Sequence, residues 1–450
     1  PETSRPGPPT PQQAALSLAR RSLAGPAPAG RSREGRPQAP RPPAAARRWP
    51  PPRRVAVVGG SLAGLSAAVL LEREGMDVSV FEKRADYQQV TGGGIVVQKV
   101  VCDLLDEAGE GVSGTDPRLA LSGRQFLDEH GVPKSAMEAP QHAGSWSSVW
   151  RALRAAFKGH YHAGVSVTGV KDGSSSLALV GDFGERDFDF VIVADGGGSN
   201  LRKQLLGEEF EPPAYAGYVA WRGVVSPEDL APDVHDLLMD GKVSFFHGDK
   251  THILLYPIPV PGGVALNWVW YWNMPEEDLH SVVKDSRLSR EGIFSVPPGM
   301  LGERVEEELR RLARLELPSN LRNVVDVTKQ PFLQPIVDYK APRMLFHGGR
   351  AALLGDAACV LRPHTTYGTA KAVEEARGLV EAMRAGGGGA LQEWEASALA
   401  RNESLVRYGD FLGQSQRDRD AREKLRSLQG QRLDSSSGAE AVLAAVRGGA

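Results

Sequence analysis

Residues 54–84 constrain the fold more than any other stretch of the chain. Val55–Val58 is a short, largely β-branched apolar run, expected as a buried parallel strand. The turn Gly59-Gly60-Ser61-Leu62-Ala63-Gly64 follows, with apolar residues at helical spacing from Leu62 to Glu74. A second apolar run, Val78-Ser79-Val80-Phe81, ends on Glu82 and Lys83. This is a βαβ unit opening on a dinucleotide fingerprint. Its glycines let backbone approach a pyrophosphate at a helix N-terminus, and the later acid can bond a ribose hydroxyl. Gly59 and Gly64 hold the outer positions of the pattern, whereas Ser61 stands where the middle glycine is usual. A side chain there must point away from the diphosphate or donate its hydroxyl to it. A structural glycine turn in another α/β fold is the alternative; the strand, helix and acid in register weigh against it.

The rest of the composition narrows the field. Length alone, 450 residues, allows two or three domains. A net charge of −2 argues against nucleic acid as a partner. The two cysteines, Cys102 and Cys359, support neither a disulfide framework nor a cysteine metal site. No apolar run reaches the length that spans a bilayer, so a soluble protein is expected.

Residues 1–53 contrast with everything after them. They are rich in Pro, Ala and Arg, lack Lys, and carry only Glu2 and Glu34 as acids, a composition expected to be disordered. An Arg-rich, acid-poor segment with an amphipathic stretch at Ala14–Leu23 also suits an organelle transit peptide, which would place the protein in a chloroplast or mitochondrion. A plain disordered extension on a cytoplasmic protein fits equally. The chain opens on Pro1 rather than Met, so its true start is expected upstream.

Beyond the βαβ unit, Gly92-Gly93-Gly94 leads into a strand, and Val100–Ala108 and Trp146–Phe157 read as helices. Residues 164–180 alternate like a hairpin. Phe190-Val191-Ile192-Val193 ends on Asp195-Gly196, a second buried strand with its functional end at a loop. From Tyr215 to Trp272 the chain alternates and is aromatic-rich, expected as an antiparallel sheet inserted into the parallel one. Trp221, Arg222, His252, Tyr256, Asn267, Trp270 and Trp272 could line an aromatic pocket there, although sheet packing alone accounts for alternate members. Ala351–Ala358 is a third buried strand, ending Gly355-Asp356, and two helices follow, from about Thr369 and from Leu391. The expected organisation is an extension at 1–53, a first nucleotide-binding part at 54–210, a substrate-binding sheet at 211–335, a second nucleotide-binding part with C-terminal helices at 336–412, and a charged tail at 413–450.

The fingerprint with Glu82, the strand ending Asp195-Gly196 and the Gly355-Asp356 turn together resemble the single-component aromatic hydroxylases of the p-hydroxybenzoate hydroxylase class. Gly94-Ile95-Val96-Val97-Gln98, Trp221-Arg222-Gly223, Tyr256-Pro257-Ile258-Pro259, Trp270-Tyr271-Trp272 and Arg362-Pro363-His364 are similar to the dihydroxypyridine hydroxylase branch of that class, across roughly residues 54–400. The resemblance implies a Rossmann-like FAD-binding α/β fold and an FAD-dependent monooxygenase that consumes NAD(P)H and dioxygen. It would hydroxylate an electron-rich phenol or hydroxypyridine through a flavin C(4a)-hydroperoxide. It also assigns roles. Ser61 and Leu62 would meet the pyrophosphate beside Gly59, Gly60 and Gly64, with Glu82 and Lys83 at the adenosine ribose. Gln98 would lie near the flavin. Asp195, Gly196, Ser199 and Arg202 would form a second nucleotide motif, Asp356 would bond the ribityl chain, and N–H groups of Thr366, Tyr367 and Gly368 would face the flavin ring. No metal is implied, and a homodimer is left open.

Three positions depart from the class. Thr366-Tyr367-Gly368 replaces the usual Gly-Gln-Gly, Trp146 replaces a common arginine, and Cys359 stands where histidine is frequent. For a base or cation near the ring, His364 is the first candidate, then Tyr256, His252 and Arg222. Each has a structural alternative: Arg222 paired with a carboxylate, Tyr256 simply packed, His252 exposed. An epoxidase on an olefinic substrate and a non-catalytic flavin-fold binding protein are the rival functions.

Overall fold

In the computed structural model, Arg54–Val58 lies near the centre of a six-stranded sheet, with Val55, Ala56 and Val57 fully buried. The model describes residues 53–86, 93–109, 116–249, 251–287, 295–386 and 388–414. The extension up to residue 52 and the tail from 415 lie outside the described residues. The sheet order is Leu345–Phe346, Ala351–Leu353, Phe190–Val193, Arg54–Val58, Asp77–Glu82, His160–Ala163. All neighbours are parallel except the first pair. Their continuous apolar composition is what burial on both faces requires.

The chain leaves Arg54–Val58 toward Asp77–Glu82 on one side and places Phe190–Val193 on the other, so the strand order reverses beside the central strand. In register, Val58 pairs with Phe81 and Val193, and Val193 with Leu353. The Gly59-Gly60, Asp195-Gly196 and Gly355-Asp356 turns therefore open at one edge of the sheet. That edge, at a topological switch point, is where open α/β sheets bind ligands. Gly59 turns off its strand at φ +106°, and a Cβ there would sit 2.2 Å from the Ala194 carbonyl oxygen, so only glycine fits.

A second sheet of nine strands runs Cys359–Val360, Phe332–Lys340, Ala214–Val225, Gly263–Asn273, Thr251–Val260, Lys242–His247, Leu119–Leu127, Pro133–Ser145, Gly94–Val96. It extends the inserted sheet expected at 211–335 on both sides. Three strands come from residues 94–145, upstream of that segment, and join through a parallel pairing of Lys242–His247 with Leu119–Leu127. One face packs on helices Pro232–Leu238, Glu303–Glu316 and Ser319–Val327 through Val219, Trp221, Ile253, Leu266, Trp268 and Trp270. The other face carries the alternate residues Tyr218, Ala220, Val269 and Tyr271. The expected hairpin at 164–180 is a three-stranded sheet, Val167–Asp172, Leu177–Gly181 and Gly184–Phe188. The two C-terminal helices are Gly368–Ala385 and Gly388–Gln414. No helix among the described residues is long and apolar enough to cross a membrane.

Candidate active site

Ser61 is the N-cap of helix Leu62–Arg73, but its hydroxyl makes no capping bond and the residue lines a cavity. The first helical N–H groups and the helix dipole face the same space, as an anionic diphosphate requires. Glu82, 3% exposed, accepts from the Gly60 and Arg84 N–H groups, both at 2.8 Å. A carboxylate has about four lone-pair sites, so capacity remains for a ribose hydroxyl. Lys83 is exposed at the strand end. Trp150 holds the turn from behind, donating from its indole nitrogen to the Gly60 carbonyl at 2.8 Å.

Asp195 and Asp356 come together through Arg202. Its guanidinium donates to the carbonyls of Gly197 (2.6 Å), Asp356 (3.3 Å) and Ala357 (3.2 Å) and lies 3.8 Å from the Tyr339 ring centre. Asp195 keeps one carboxylate oxygen buried with no hydrogen-bond partner, and burial raises its pKa despite the Ser199 hydroxyl. Asp356 is exposed where it opens into the cavity, and the protein packed around it raises its pKa against the pull of Lys371. The open Asp356 carboxylate on the wall fits a ligand rich in hydroxyl groups.

Beneath Asp356 lies an ion pair with no exposure at either partner. Lys371 donates to Glu375 at 3.2 Å and to the Gly355 carbonyl at 2.9 Å, while Glu375 accepts from the Gly355 N–H at 2.8 Å and from Asn402 at 3.0 Å. Both polar groups of Gly355 are thus held by one buried pair at i, i+4 on helix Gly368–Ala385. Burial opposes the Lys371 charge, but Glu375, with Cys359 and Asp356, together outweigh it and the pKa is raised. Cys359 is fully buried; burial pushes its thiol up to about 12, and it packs with Leu361 and Leu405 as a small apolar residue.

Gln98 and Thr366, far apart in sequence, meet at 3.4 Å. Thr366 adopts a left-handed φ of 55°, a conformation that favours the glycine usual in the class, and with Gly368 it lines the cavity. Tyr367 turns toward Glu374, bonding it at 2.7 Å. Trp146 also lines the cavity, stacked on Trp150 at 11°.

This cavity, about 340 Å³, runs from Ser61, Gly196 and Asp356 to the nine-stranded sheet, where Leu254, Tyr256, Val269, Tyr271, Arg222 and Gln334 form its floor. Strand alternation corrects the expected aromatic pocket: Trp221 and Trp270 face the helices, with Trp272 packed against the same cluster. Asn267 is buried and accepts from the Gly94 N–H at 2.7 Å. Of the four candidates for base or cation, Arg222 and Tyr256 reach the wall, and His364 and His252 do not. His364 bonds the Tyr218 hydroxyl at 3.0 Å and packs on Tyr271, its ring centre 4.0 Å away. Burial, then the Arg362 charge, drives its pKa down to about 3, so it is neutral at physiological pH and a feeble base. His252 is not exposed but 8% accessible, stacked on His247 and tilted against Tyr271. Among the described residues Arg222 meets no carboxylate: it donates to the Gln334 side chain (2.9 Å) and the Gly94 carbonyl (3.0 Å). Burial pushes the Tyr256 phenol up to about 12, so it stays protonated.

Lys371, Glu375, Tyr271, Gln334 and Arg124 escape the sequence reading. The i, i+4 spacing of Lys371 and Glu375 was visible, but on any surface helix it signals an exposed pair. The others depend on strand pairing between distant segments.

The chain matches family models for an NAD(P)-binding Rossmann-like domain over residues 57–93 and an FAD binding domain-like region over residues 215–338. It is 33% identical to 2,6-dihydroxypyridine 3-monooxygenase of Paenarthrobacter nicotinovorans, covering 78% of this chain and 89% of that protein. It is 26% identical to 6-hydroxynicotinate 3-monooxygenase of Pseudomonas fluorescens, covering 74% and 82% respectively. The solved structure of 2,6-dihydroxypyridine-3-hydroxylase from Arthrobacter nicotinovorans superposes with a TM-score of 0.72 at 32% identity, over 79% of this chain and 90% of that one.

Proposed function

Because the chain belongs to the FAD-dependent aromatic monooxygenases, we propose that its cavity holds FAD at the Ser61–Asp356 end and an electron-rich hydroxylated ring over Tyr256, Val269 and Tyr271. The observation that carries this reading is the continuity of the cavity from the dinucleotide turn to the cationic, aromatic face of the sheet. The chemistry supplied by bound FAD is oxidation of NAD(P)H and activation of dioxygen for insertion of one oxygen atom into the ring. Ser61 and the helix it caps hold the diphosphate, Glu82 the ribose, and Asp356 the ribityl hydroxyls. The Thr366 N–H donates to the Pro363 carbonyl and the Tyr367 N–H to the Thr365 hydroxyl, so of the three N–H groups expected at the flavin ring that of Gly368, at the start of helix Gly368–Ala385, would face it, where the helix dipole favours negative charge.

The protein's part in ring activation is cationic rather than basic. A phenol or hydroxypyridine becomes a better nucleophile when ionised, and an opposite charge within about 4–6 Å lowers such a pKa by roughly 1–3 units. Arg222 supplies that charge without a carboxylate to neutralise it. Tyr256, held protonated, orients the ring oxygen by donating its hydroxyl. Buried apolar floor residues exclude water around both groups. Two arginines on the wall disfavour the olefin epoxidase, since an apolar ring or chain would leave their charges uncompensated.

A panel of hydroxylated benzenes and pyridines, monitored by flavin reduction with NADH or NADPH, tests the proposal. A yellow protein whose reduction is accelerated by such a ring is expected. A protein that stays colourless in excess FAD, or whose reduction ignores every ring, overturns the proposal.

A further inference from the structure

Building on that monooxygenase reading, we infer that a second cavity is the entry station of the aromatic ring. It lies on the nine-stranded sheet beside the turn that joins Leu119–Leu127 to Pro133–Ser145. Its ligand is the hydroxylated ring itself, which Phe126, Phe245 and His247 pass on to the reaction chamber.

The second cavity, about 730 Å³ against about 340 Å³ for the first, is bordered by Phe126, Ser135, Met137 and His247. The two cavities share no lining residue among those described, yet strand register joins them. Phe126 pairs with Phe245, Phe245 with Leu254, Leu254 with Val269, and Val269 with Arg222, in one row across the sheet. Phe126 lines the second cavity and the other four line the first. The neighbouring row runs the same way through His247, His252 and Tyr271, with His247 in the second cavity and Tyr271 in the first. At about 4.8 Å per inter-strand step, Phe126 stands roughly 14 Å from Val269.

Side chains along these rows are ordered for stacking. The rings of Phe126 and Phe245 lie 5.5 Å apart at 22°, those of Phe245 and His247 6.3 Å apart at 12°, and those of His247 and His252 5.4 Å apart at 26°. Phe126, Phe245 and His247 each keep part of their surface accessible, whereas the alternate residues Leu127 and Phe246 are buried in the helix-backed core. Accessible, near-parallel rings between two cavities offer an apolar surface on which a further ring stacks. A ring that settles on Phe126 and His247 sheds its water there. Its passage over Phe245 and Leu254 then exchanges one apolar contact for the next, with no return to bulk water. This approach comes along the sheet, whereas FAD is proposed at the Ser61–Asp356 end, so the ring enters and its product leaves with the cofactor in place.

The test follows association and dissociation of 2-hydroxypyridine and resorcinol with FAD-loaded protein, by stopped-flow absorbance of the flavin. Ser135 is exposed, pairs with Phe126 on the neighbouring strand and lies beyond it from Arg222, so Ser135→Trp plugs the second cavity without touching the proposed reaction chamber. Met137→Trp is an independent plug of the same cavity. Each is expected to slow association and dissociation together by about tenfold, with the dissociation constant and the rate of flavin reduction at saturating ring unchanged. FAD content and Tm establish that a variant is folded, and one folded plug suffices. Unchanged association rates overturn the entry route. A loss of affinity carried by faster dissociation alone also overturns it, because it would place these residues in the final site. Accelerated NAD(P)H oxidation by either ring in those cases leaves the monooxygenase reading standing, whereas protein that binds no FAD, or oxidation that neither ring accelerates, contradicts the reading itself.

Discussion

At the residue scale, the site turns on which groups are charged. Arg222 is held by two neutral partners, so its charge is free to act on the substrate. Arg222→Gln should shift the pH profile of kcat upward by about one unit, because the ring hydroxyl loses the cation that lowers its pKa; an unchanged profile in steady-state assays would argue against that role. His364 has the opposite character. Its folded-state pKa is depressed to about 3, so between that value and the ordinary 6.5 the unfolded chain binds more protons. The neutral, packed imidazole therefore costs stability as pH falls below 6.5. Thermal unfolding of the wild type should lose about 1 kcal/mol between pH 6.5 and 5, and His364→Gln, which can still bond Tyr218, should lose less. Asp356→Ala should weaken FAD binding at least tenfold by fluorescence titration, since no other acid among the described lining residues can replace its carboxylate.

At the scale of elements, helix Gly368–Ala385 does two jobs. Its first turn borders the cavity, and four residues in, Lys371 and Glu375 lock the Gly355 turn that carries Asp356. Removing one member leaves an unpaired buried charge. Lys371→Met is expected to cost about 3–5 kcal/mol in denaturant unfolding, and adding Glu375→Leu should recover part of that loss. A single-variant loss below about 1 kcal/mol would mean that water reaches the pair. The nine-stranded sheet divides its labour by alternation. Odd positions in Ala214–Val225 (Val219, Trp221) feed the helix-backed core, and even positions (Tyr218, Ala220, Arg222) face the cavity side. The period was legible in the sequence; the direction of each face was not, because Trp221 and Arg222 are equally plausible inward residues until the helices that cover one face are placed.

At the scale of the molecule, what could be read in advance was local. Val55–Gly64 announces its strand, turn and helix within a dozen residues, and the endings Asp195-Gly196 and Gly355-Asp356 follow apolar runs that identify themselves. Their convergence at one sheet edge follows from parallel registers at Val58, Val193 and Leu353 that no local pattern encodes. Arg124 reaches the same cavity through the parallel pairing of Leu119–Leu127 with Lys242–His247, a contact across more than a hundred residues. His364 lies away from the wall for the same reason: its loop borders the cavity, but Tyr218 and Tyr271 hold the imidazole against the sheet. On the proposed function, this chamber brings FAD, dioxygen and a hydroxylated ring together to insert oxygen. The direct measurement is turnover of the best ring from the panel under isotopically heavy dioxygen, followed by mass spectrometry of the product. One heavy oxygen atom on the ring per product molecule is expected. A product with no heavy oxygen, or NAD(P)H consumed with no hydroxylated ring formed, would contradict it.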